Sequence, residues 1–351
     1  TWFNPFGTGL NNTCISFKPV GNILYIGGGF TGANGNAWNR IAGFDTSISN
    51  AVAIGQNAGY SGQMIHSVAI GNQAGYSAQG TGAIAIGEYS GTISQDVNTI
   101  AIGFEAGVNY QTQNAIAIGT FAGANTQGSG SIAIGYQAGY TTQNATSIAI
   151  GIQSGYTTQG TGAISIGYQS GYISQSYNGM AFGYQAGYFS QGTGTVAIGN
   201  TSGYYLQGTG SIAIGDQSGY CGQGNFSIAI GVQAGYCGQG TGSIAIGYQS
   251  GNFPQGSGSV AIGYQAGNTG QQSLGVALGY QSGFISHGTG AVAIGNLAGN
   301  NFQGTGSIAI GDQSGYCGQG IGSIAIGIQS GYSSQSVSSV AIGYQAGNIS
   351  Q

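Results

Sequence analysis

Charge is what this sequence lacks most. Only two of its 351 residues are Lys or Arg and six are Asp or Glu, so 2% of the chain is charged, where a soluble domain typically has about 25%. The last basic residue is Arg40. Nucleic-acid binding needs basic side chains that displace counterions from phosphates. The composition therefore excludes a nucleic-acid-binding role.

Long apolar runs and clusters of chemically reactive side chains are also missing. A transmembrane helix needs about 20 consecutive apolar residues, and no run in this sequence comes near that length, so we predict no membrane span. The two histidines, His66 and His287, and the six acids are scattered, and no base is placed to activate a serine. We therefore predict that the protein is not an enzyme and binds no cofactor and no metal.

What the sequence does contain is a repeat. From Ala51 a sixteen-residue phrase recurs nineteen times without insertion or deletion, and the last copy starts at Ser339. Repeat positions 2 and 4 are always apolar, position 3 is Ala except at Ser165, and positions 5 and 9 are always Gly. The frequent glycines exclude a helix, and the apolar alternation predicts a short strand. The pattern predicts an all-β protein in which residues 51–351 form a parallel β-solenoid (β-roll) of nineteen sixteen-residue coils.

The apolar pattern also leads to a prediction about faces. We expect positions 2 and 4 to point into the coil, including Met180 and Phe182, which replace the usual residues in one copy. Positions 1 and 3 would then point outward. Because they are always small, we expect a neighbouring chain to pack against them and predict a homotrimer. The proposed trimer face comprises Ala213, Ala229, Ala245 and their equivalents.

One polar residue is nearly invariant. Position 13 is Gln in eighteen of the nineteen copies, and His287 is the exception. Other polar residues would also serve at a bend, so the near-uniform choice of Gln needs a specific reason. It predicts a hydrogen-bonded ladder along the stack, in which each side chain donates to the next coil's carbonyl. The residues named for this ladder are Gln63, Gln79, Gln223, Gln239 and Gln319.

Three of the four cysteines share position 11. Cys221 and Cys237 lie in adjacent coils, which stack at about 4.8 Å and so within disulfide range, although in-register parallel neighbours give poor Cβ geometry. Two interpretations stay open: a disulfide, or a position that tolerates Cys among other residues. Cys317 has no such neighbour. The fourteen residues of 211–224 recur verbatim at 307–320, which indicates duplication of a block of coils.

The first fifty residues do not follow the period. The stretch LYIGGGFTGANGNAWNRIAGFD, Leu24 to Asp45, resembles one blade motif of β-propeller repeats. A propeller needs about four to eight blades, so residues 1–50 are predicted to be a propeller-blade-like segment or a β-rich cap on the solenoid. Because there is no initiator Met and the last copy stops at position 13, we expect the natural chain to be processed or longer, or another copy to pair at Gln351.

The phrases SVAIG and SIAIG, followed by Ala or Ser at position 8, resemble the head repeat of YadA-type trimeric autotransporter adhesins. The resemblance covers 51–351, although the repeat here is longer than is usual in that family. With its YQAGY and TQG strings, the longer repeat is more similar in style to the AIG-repeat fibre proteins of large DNA viruses and phages. Both resemblances imply elongated homotrimers on a cell or particle surface.

Three functions are compatible with these observations. The first is a structural protein, the elongated shaft of a surface or virion fibre or of a filament, located outside the cell or on the virion. The alternative is an adhesin or receptor-binding head that contacts a host glycan or surface protein through exposed rows of Tyr, Asn and Gln. An ice-binding solenoid is the third, but it needs a uniform Thr row, and position 11 is too variable to provide one.

Overall fold

The computed structural model describes the backbone of residues 16–20, 23–31, 37–45 and 50–349, and the side chains of 50–349. All regular elements in these ranges are β-strands. A helix long and apolar enough to cross a membrane is not found among them. The chain divides into two compact units, Thr1–Thr161 and Gly162–Gln351, and each is described by itself.

The first unit begins with an antiparallel meander of three strands, Ser16–Val20, Ile23–Thr31 and Ala37–Asp45. The third strand pairs antiparallel with the first repeat strand, so that Ala42 lies opposite Ile54. The meander thereby occupies an edge that the repeat strands would otherwise leave unpaired. Such pairing is what a β-rich cap would provide; a domain boundary at residue 50 stays a prediction.

Repeat positions 2 to 4 form the first sheet of each unit. The strands are parallel, and each residue pairs with its equivalent sixteen residues away, as Ile116 does with Ile132. This register confirms the parallel β-solenoid. In the first unit the strands are Val52–Ile54, Val68–Ile70, Ile84–Ile86, Ile100–Ile102, Ile116–Ile118, Ile132–Ile134 and Ile148–Ile150. In the second unit they are Ile164–Ile166, Met180–Phe182, Val196–Ile198, Ile212–Ile214, Ile228–Ile230, Ile244–Ile246, Val260–Ile262, Val276–Leu278, Val292–Ile294, Ile308–Ile310, Ile324–Ile326 and Val340–Ile342.

Positions 11 to 13 form the second sheet, which is also parallel and in register. In the second unit its regular strands are interrupted, and the isolated bridges Gln239–Gln255, Gln255–Gln271 and Thr269–Ile285 connect its two parts. In the first unit its strands are Ser77–Gln79, Ile93–Gln95, Asn109–Gln111, Thr126–Gln127, Thr142–Gln143 and Thr158–Gln159. In the second unit they are Ile173–Gln175, Phe189–Gln191, Tyr205–Gln207, Cys221–Gln223, Cys237–Gln239, Ile285–His287, Asn301–Gln303, Cys317–Gln319 and Ser333–Gln335.

The interior of each coil is filled by small side chains. Ala or Ser at positions 3 and 8 is buried, together with Gly at position 9 and the amide at position 13. Isoleucine and valine at positions 2 and 4 instead lie on the outer surface and are half-buried or exposed. The predicted orientation of the strand was therefore wrong, because its large residues point outward.

The glycine at position 9 explains why large residues cannot point inward. A Cβ built on Gly155 would lie 3.2 Å from the Cβ of Ala149, and one built on Gly139 would lie 3.3 Å from the Cβ of Ala133. The glycine backbone therefore packs directly on the position-3 methyl group. The interior accepts a methyl or hydroxymethyl group and has no room for the branched side chain of Ile.

Met180 and Phe182 follow the same orientation. Both are half-buried on the outer surface, whereas Ala181 between them is completely buried. The prediction that they lie inside was wrong for the reason that applies to every coil. Their unusual shapes are tolerated because they do not have to fit the narrow interior.

Candidate functional surfaces

The outer apolar face is formed by the side chains at positions 2 and 4 of the first sheet, which stack in register along each unit. Ile198, Ile262 and Ile294 are exposed by 40%, 38% and 36% of their surface. Soluble monomers rarely expose continuous apolar rows of this kind, and such surfaces usually contact other proteins. The face is therefore a candidate site of self-association.

The predicted trimer face needs correction. Ala213, Ala229 and Ala245 are completely buried within their own coils. They cannot contact a neighbouring chain, because the position-9 glycine and the buried amide row cover them from inside. Position 3 is small because the interior is narrow, and not because a partner packs on it.

The buried amide row, formed by the position-13 side chains, is a hydrogen-bonded ladder over part of its length, which includes the predicted Gln79, Gln223 and Gln239 but not Gln63 and Gln319. In the first unit the Nε2 of Gln79 donates to Gln95 Oε1, and equivalent bonds of 2.7–3.2 Å continue to Gln159. In the second unit Gln223 donates to Gln239 at 2.9 Å, within a run from Gln175 to Gln271.

Each amide of this row also ties the two sheets of its coil together. Gln223 Nε2 donates to the carbonyl of Ile212, eleven residues earlier, at 3.0 Å. Gln63 and Gln319 make the same bond, to Val52 and Ile308. Gln319 Oε1, however, has no hydrogen-bond partner. Gln fits position 13 because its two N–H groups satisfy a buried carbonyl and extend the ladder simultaneously.

Cys221, Cys237 and Cys317 lie on the outer surface of the second sheet. The structure joins Cys221 to Cys237 by a disulfide across two neighbouring strands, with 4.7 Å between their Cα atoms. Cys317 is a free, exposed thiol. It pairs in register with Ser333 where Cys221 pairs with Cys237.

Tyrosines at position 10 form stacked rows. In the second unit the rings of Tyr172, Tyr188, Tyr204, Tyr220 and Tyr236 stack with centroids 4.9–5.1 Å apart and planes within 9°. A ring inside such a row has both faces covered by its neighbours. Stacking of a sugar ring, which needs a free aromatic face, is therefore unavailable along the row, which presents only ring edges and hydroxyl groups.

A second aromatic stack lies beside this row. Phe189 and Tyr205, at position 11, stack on each other at 5.1 Å and contact the rings of Tyr188 and Tyr204 edge-on at 4.6 Å. Partial burial in this cluster raises the pKa of Tyr204 to about 12, with Tyr205, Tyr188 and Tyr220 acting in the same direction.

A second amide ladder runs along the surface at position 7. Gln233 donates to Gln217 at 2.9 Å, and the pattern continues through Gln249 and Gln265 to Gln281. These amides donate to the preceding coil, whereas the buried ones donate to the following coil, so the two ladders have opposite polarity. Sequence reasoning missed this ladder, although the frequent Gln at position 7 was the signal for it.

Two aspartates of the second unit accept hydrogen bonds from Asn side chains. Asn200 Nδ2 donates to Asp216 Oδ1 at 2.7 Å, and Asn296 donates to Asp312 at 2.6 Å, both at exposed position 6. Within residues 50–349, where side chains are described, no three His, Cys, Asp or Glu residues lie close enough to hold a metal ion.

Comparison with known proteins gives one match. The family model for the YadA head domain repeat matches residues 113–138 in two copies. No curated protein and no solved structure matches the chain significantly. The resemblance of these repeats to the YadA head repeat is thereby confirmed.

Proposed function

We propose that the protein is an extracellular structural protein, the shaft of a surface fibre, in which identical chains associate through the outer apolar face. The single observation that supports this most strongly is the Val and Ile row on the outside of the first sheet, next to alanines that are completely buried. Each coil buries only small side chains in its own interior and leaves its large apolar residues on the outside. Most of the stabilisation available from burying apolar surface is therefore obtained only when another chain covers that face.

The number of chains and the location follow from the resemblance to the YadA head repeat. That family is trimeric and displayed on a cell surface, so we propose a homotrimer on the surface of a cell or of a virion. The near absence of charge fits this assignment, because little electrostatic repulsion opposes close packing of identical chains.

Mass measurement of paired variants tests the proposal. The variant Ile228→Glu/Ile244→Glu places two carboxylates on the outer apolar face, and we expect sedimentation equilibrium to shift from a multiple of 34.8 kDa to the monomer mass. The control Thr241→Glu/Ser257→Glu changes exposed residues at position 15 of the same two coils and should leave the assembly intact. A monomeric wild type, or equal dissociation of both variants, would contradict the proposal.

An adhesin is the second candidate, favoured by the match to the YadA head repeat. Binding would then use edges and hydroxyl groups of the Tyr row and the surface amide ladder, since the ring faces are covered. A glycan array with wild type and Tyr188→Phe/Tyr204→Phe/Tyr220→Phe tests it. Binding that this variant loses supports an adhesin that uses the Tyr hydroxyl groups, binding that it retains assigns the contact to the surface amide ladder, and no binding by the wild type counts against an adhesin.

A further inference from the structure

The coil of His287 departs from the repeat in the middle of the second unit. His287 stands in the row of buried amides and is completely buried. Neither of its ring nitrogens has a hydrogen-bond partner, and the same is true of Gln303 Oε1 in the next coil. The ladder that runs to Gln271 thus stops at this residue.

The imidazole fits because two glycines of its own coil leave room for the ring. A Cβ added to Gly275 would lie 2.8 Å from His287 Nδ1, and one added to Gly283 would lie 3.0 Å from the ring carbons. Position 1, occupied by Gly275, is Ser, Ala or Thr in every other coil except that of Gly179. The ring therefore occupies space that another coil gives to a position-1 side chain.

Two other stabilising features are interrupted in the same region. Regular strands of the second sheet are missing between Cys237–Gln239 and Ile285–His287, where only isolated bridges occur. The Tyr row is replaced at position 10 by Asn252, Asn268, Phe284 and Asn300. The aromatic row and the amide ladder are thus interrupted together, while backbone hydrogen bonds between coils continue through this region, as from Phe253 N to the Asn268 carbonyl at 2.9 Å.

No other ionisable group faces the imidazole. Residues 259–306 contain no Asp, Glu, Lys or Arg, and the tyrosines of this region, Tyr264 and Tyr280, are exposed at position 6. The groups against the ring are glycine, alanine and amide. The nearest acid along the chain, Asp312, is exposed and hydrogen-bonded to Asn296.

We propose that the coil of His287 is an acid-sensitive breaking point of the second unit, where protonation of the buried imidazole opens the coils around it. An imidazolium carries a full charge and has two N–H donors. In the next coil the buried amide row offers it one unpaired acceptor, Gln303 Oε1, so the buried charge is poorly satisfied. Opening brings the charged ring into water, and the interruption of the amide ladder and of the Tyr row lowers the resistance to opening there.

The direction of the pH dependence follows from the burial. Burial lowers the pKa of His287 from 6.5 to about 4, against a weaker opposing effect of the Gln303 amide. In the opened coil the ring regains its ordinary pKa and binds a proton more readily than in the closed coil. Stability of the closed coil is therefore complete above pH 6.5 and is lost as the pH falls towards 4.

Hydrogen exchange measured by mass spectrometry on the full chain tests the proposal. After correction for intrinsic exchange rates, the opening constant of peptides within residues 271–303 should rise about a hundredfold between pH 7 and pH 4. His287→Gln, which restores the usual residue, should abolish this rise. His66→Gln, which removes the exposed histidine of the first unit, should behave as the wild type.

A second variant controls for a packing defect that His287→Gln alone could create beside Gly275. His287→Gln/Gly275→Ser restores both residues of the usual coil and should be protected equally at pH 7 and pH 4. Three results would overturn the proposal. They are an opening constant that rises as much in His287→Gln as in the wild type, a rise spread evenly along all coils, and no rise in the wild type.

Discussion

The alanine at position 3 determines which side of the first strand faces inward. Its methyl group meets the backbone of the position-9 glycine, as Ala149 meets Gly155. A second contact comes from position 8, since Ala229, Ala234 and Ala245 form one buried cluster. With this contact in place, the flanking Ile residues can lie only on the outside.

Enlarging this alanine should destabilise the protein. Ala229→Leu forces three additional carbons into a close-packed interior, and we expect a loss at the upper end of the ~1–3 kcal/mol typical of overpacking. The matched control Ile228→Leu repacks an outer residue and should cost less than ~1.5 kcal/mol. Chemical denaturation compares the two; a larger loss for Ile228→Leu would contradict the orientation of the strand.

The backbone at position 12 is left-handed even where the residue is bulky. Leu206 has φ of 46° and its side chain is 64% exposed, whereas the equivalent Gly222 adopts φ of 72° without strain. Leu206→Gly should therefore raise the free energy of unfolding by up to ~1 kcal/mol. Leu206→Ala, which retains Cβ, should give no such gain. Denaturant titration of both variants decides, and equal stabilities would refute the explanation.

Gly275 and His287 should be energetically coupled. Gly275→Ser alone introduces a Cβ 2.8 Å from the His287 ring, so we expect a loss of ~1–3 kcal/mol from overpacking. In the His287→Gln background the same change restores the usual pair of residues and should be nearly neutral. A double-mutant cycle by thermal unfolding measures the coupling; additive effects would show that the two residues do not share space.

At the scale of the element, the buried amide row joins the two sheets. Gln223→Leu would leave the Ile212 carbonyl, a Gln207 N–H and the Gln239 Oε1 without partners. Each buried polar group left unsatisfied costs about 1–3 kcal/mol, so we expect a loss of roughly 3 kcal/mol or more. Gln217→Leu, in the surface ladder, should cost less because water replaces the lost bonds. Similar losses in urea unfolding would contradict the assigned burial.

The sequence predicted the strands, the parallel register and the amide row, because each depends on a residue type repeated at one position. Val and Gly at fixed positions suffice to place Val52–Ile54 and its equivalents. The orientation of the strand could not be predicted in this way. Apolar burial favours Ile inside, and the competing effect, contact between the position-3 methyl and the position-9 backbone, depends on three-dimensional distances that periodicity does not contain.

At the scale of the whole molecule, the second unit contains a longer repeat of 96 residues. Gly179 and Gly275 are the two glycines at position 1, and Phe182 and Leu278 are the two exceptions to Ile at position 4. Each pair is separated by 96 residues. The same separation relates Leu206 to Phe302, both exposed with positive φ. Duplication of six coils thus copied surface features together with the strands, and later substitutions, such as Ser333 at the position equivalent to Cys237, distinguish the two blocks.

The central claim is that the outer apolar face joins identical chains. Disulfide trapping between chains is its most direct test. In a chain whose four native cysteines are replaced by serine, a single cysteine is placed at Ile244 or at Ala245, and the protein is oxidised and separated by mass under denaturing conditions. The outward orientation of Ile244 and complete burial of Ala245 predict covalent dimers for Ile244→Cys and none for Ala245→Cys. Dimers from Ala245→Cys, with Ile244→Cys remaining monomeric, would contradict it.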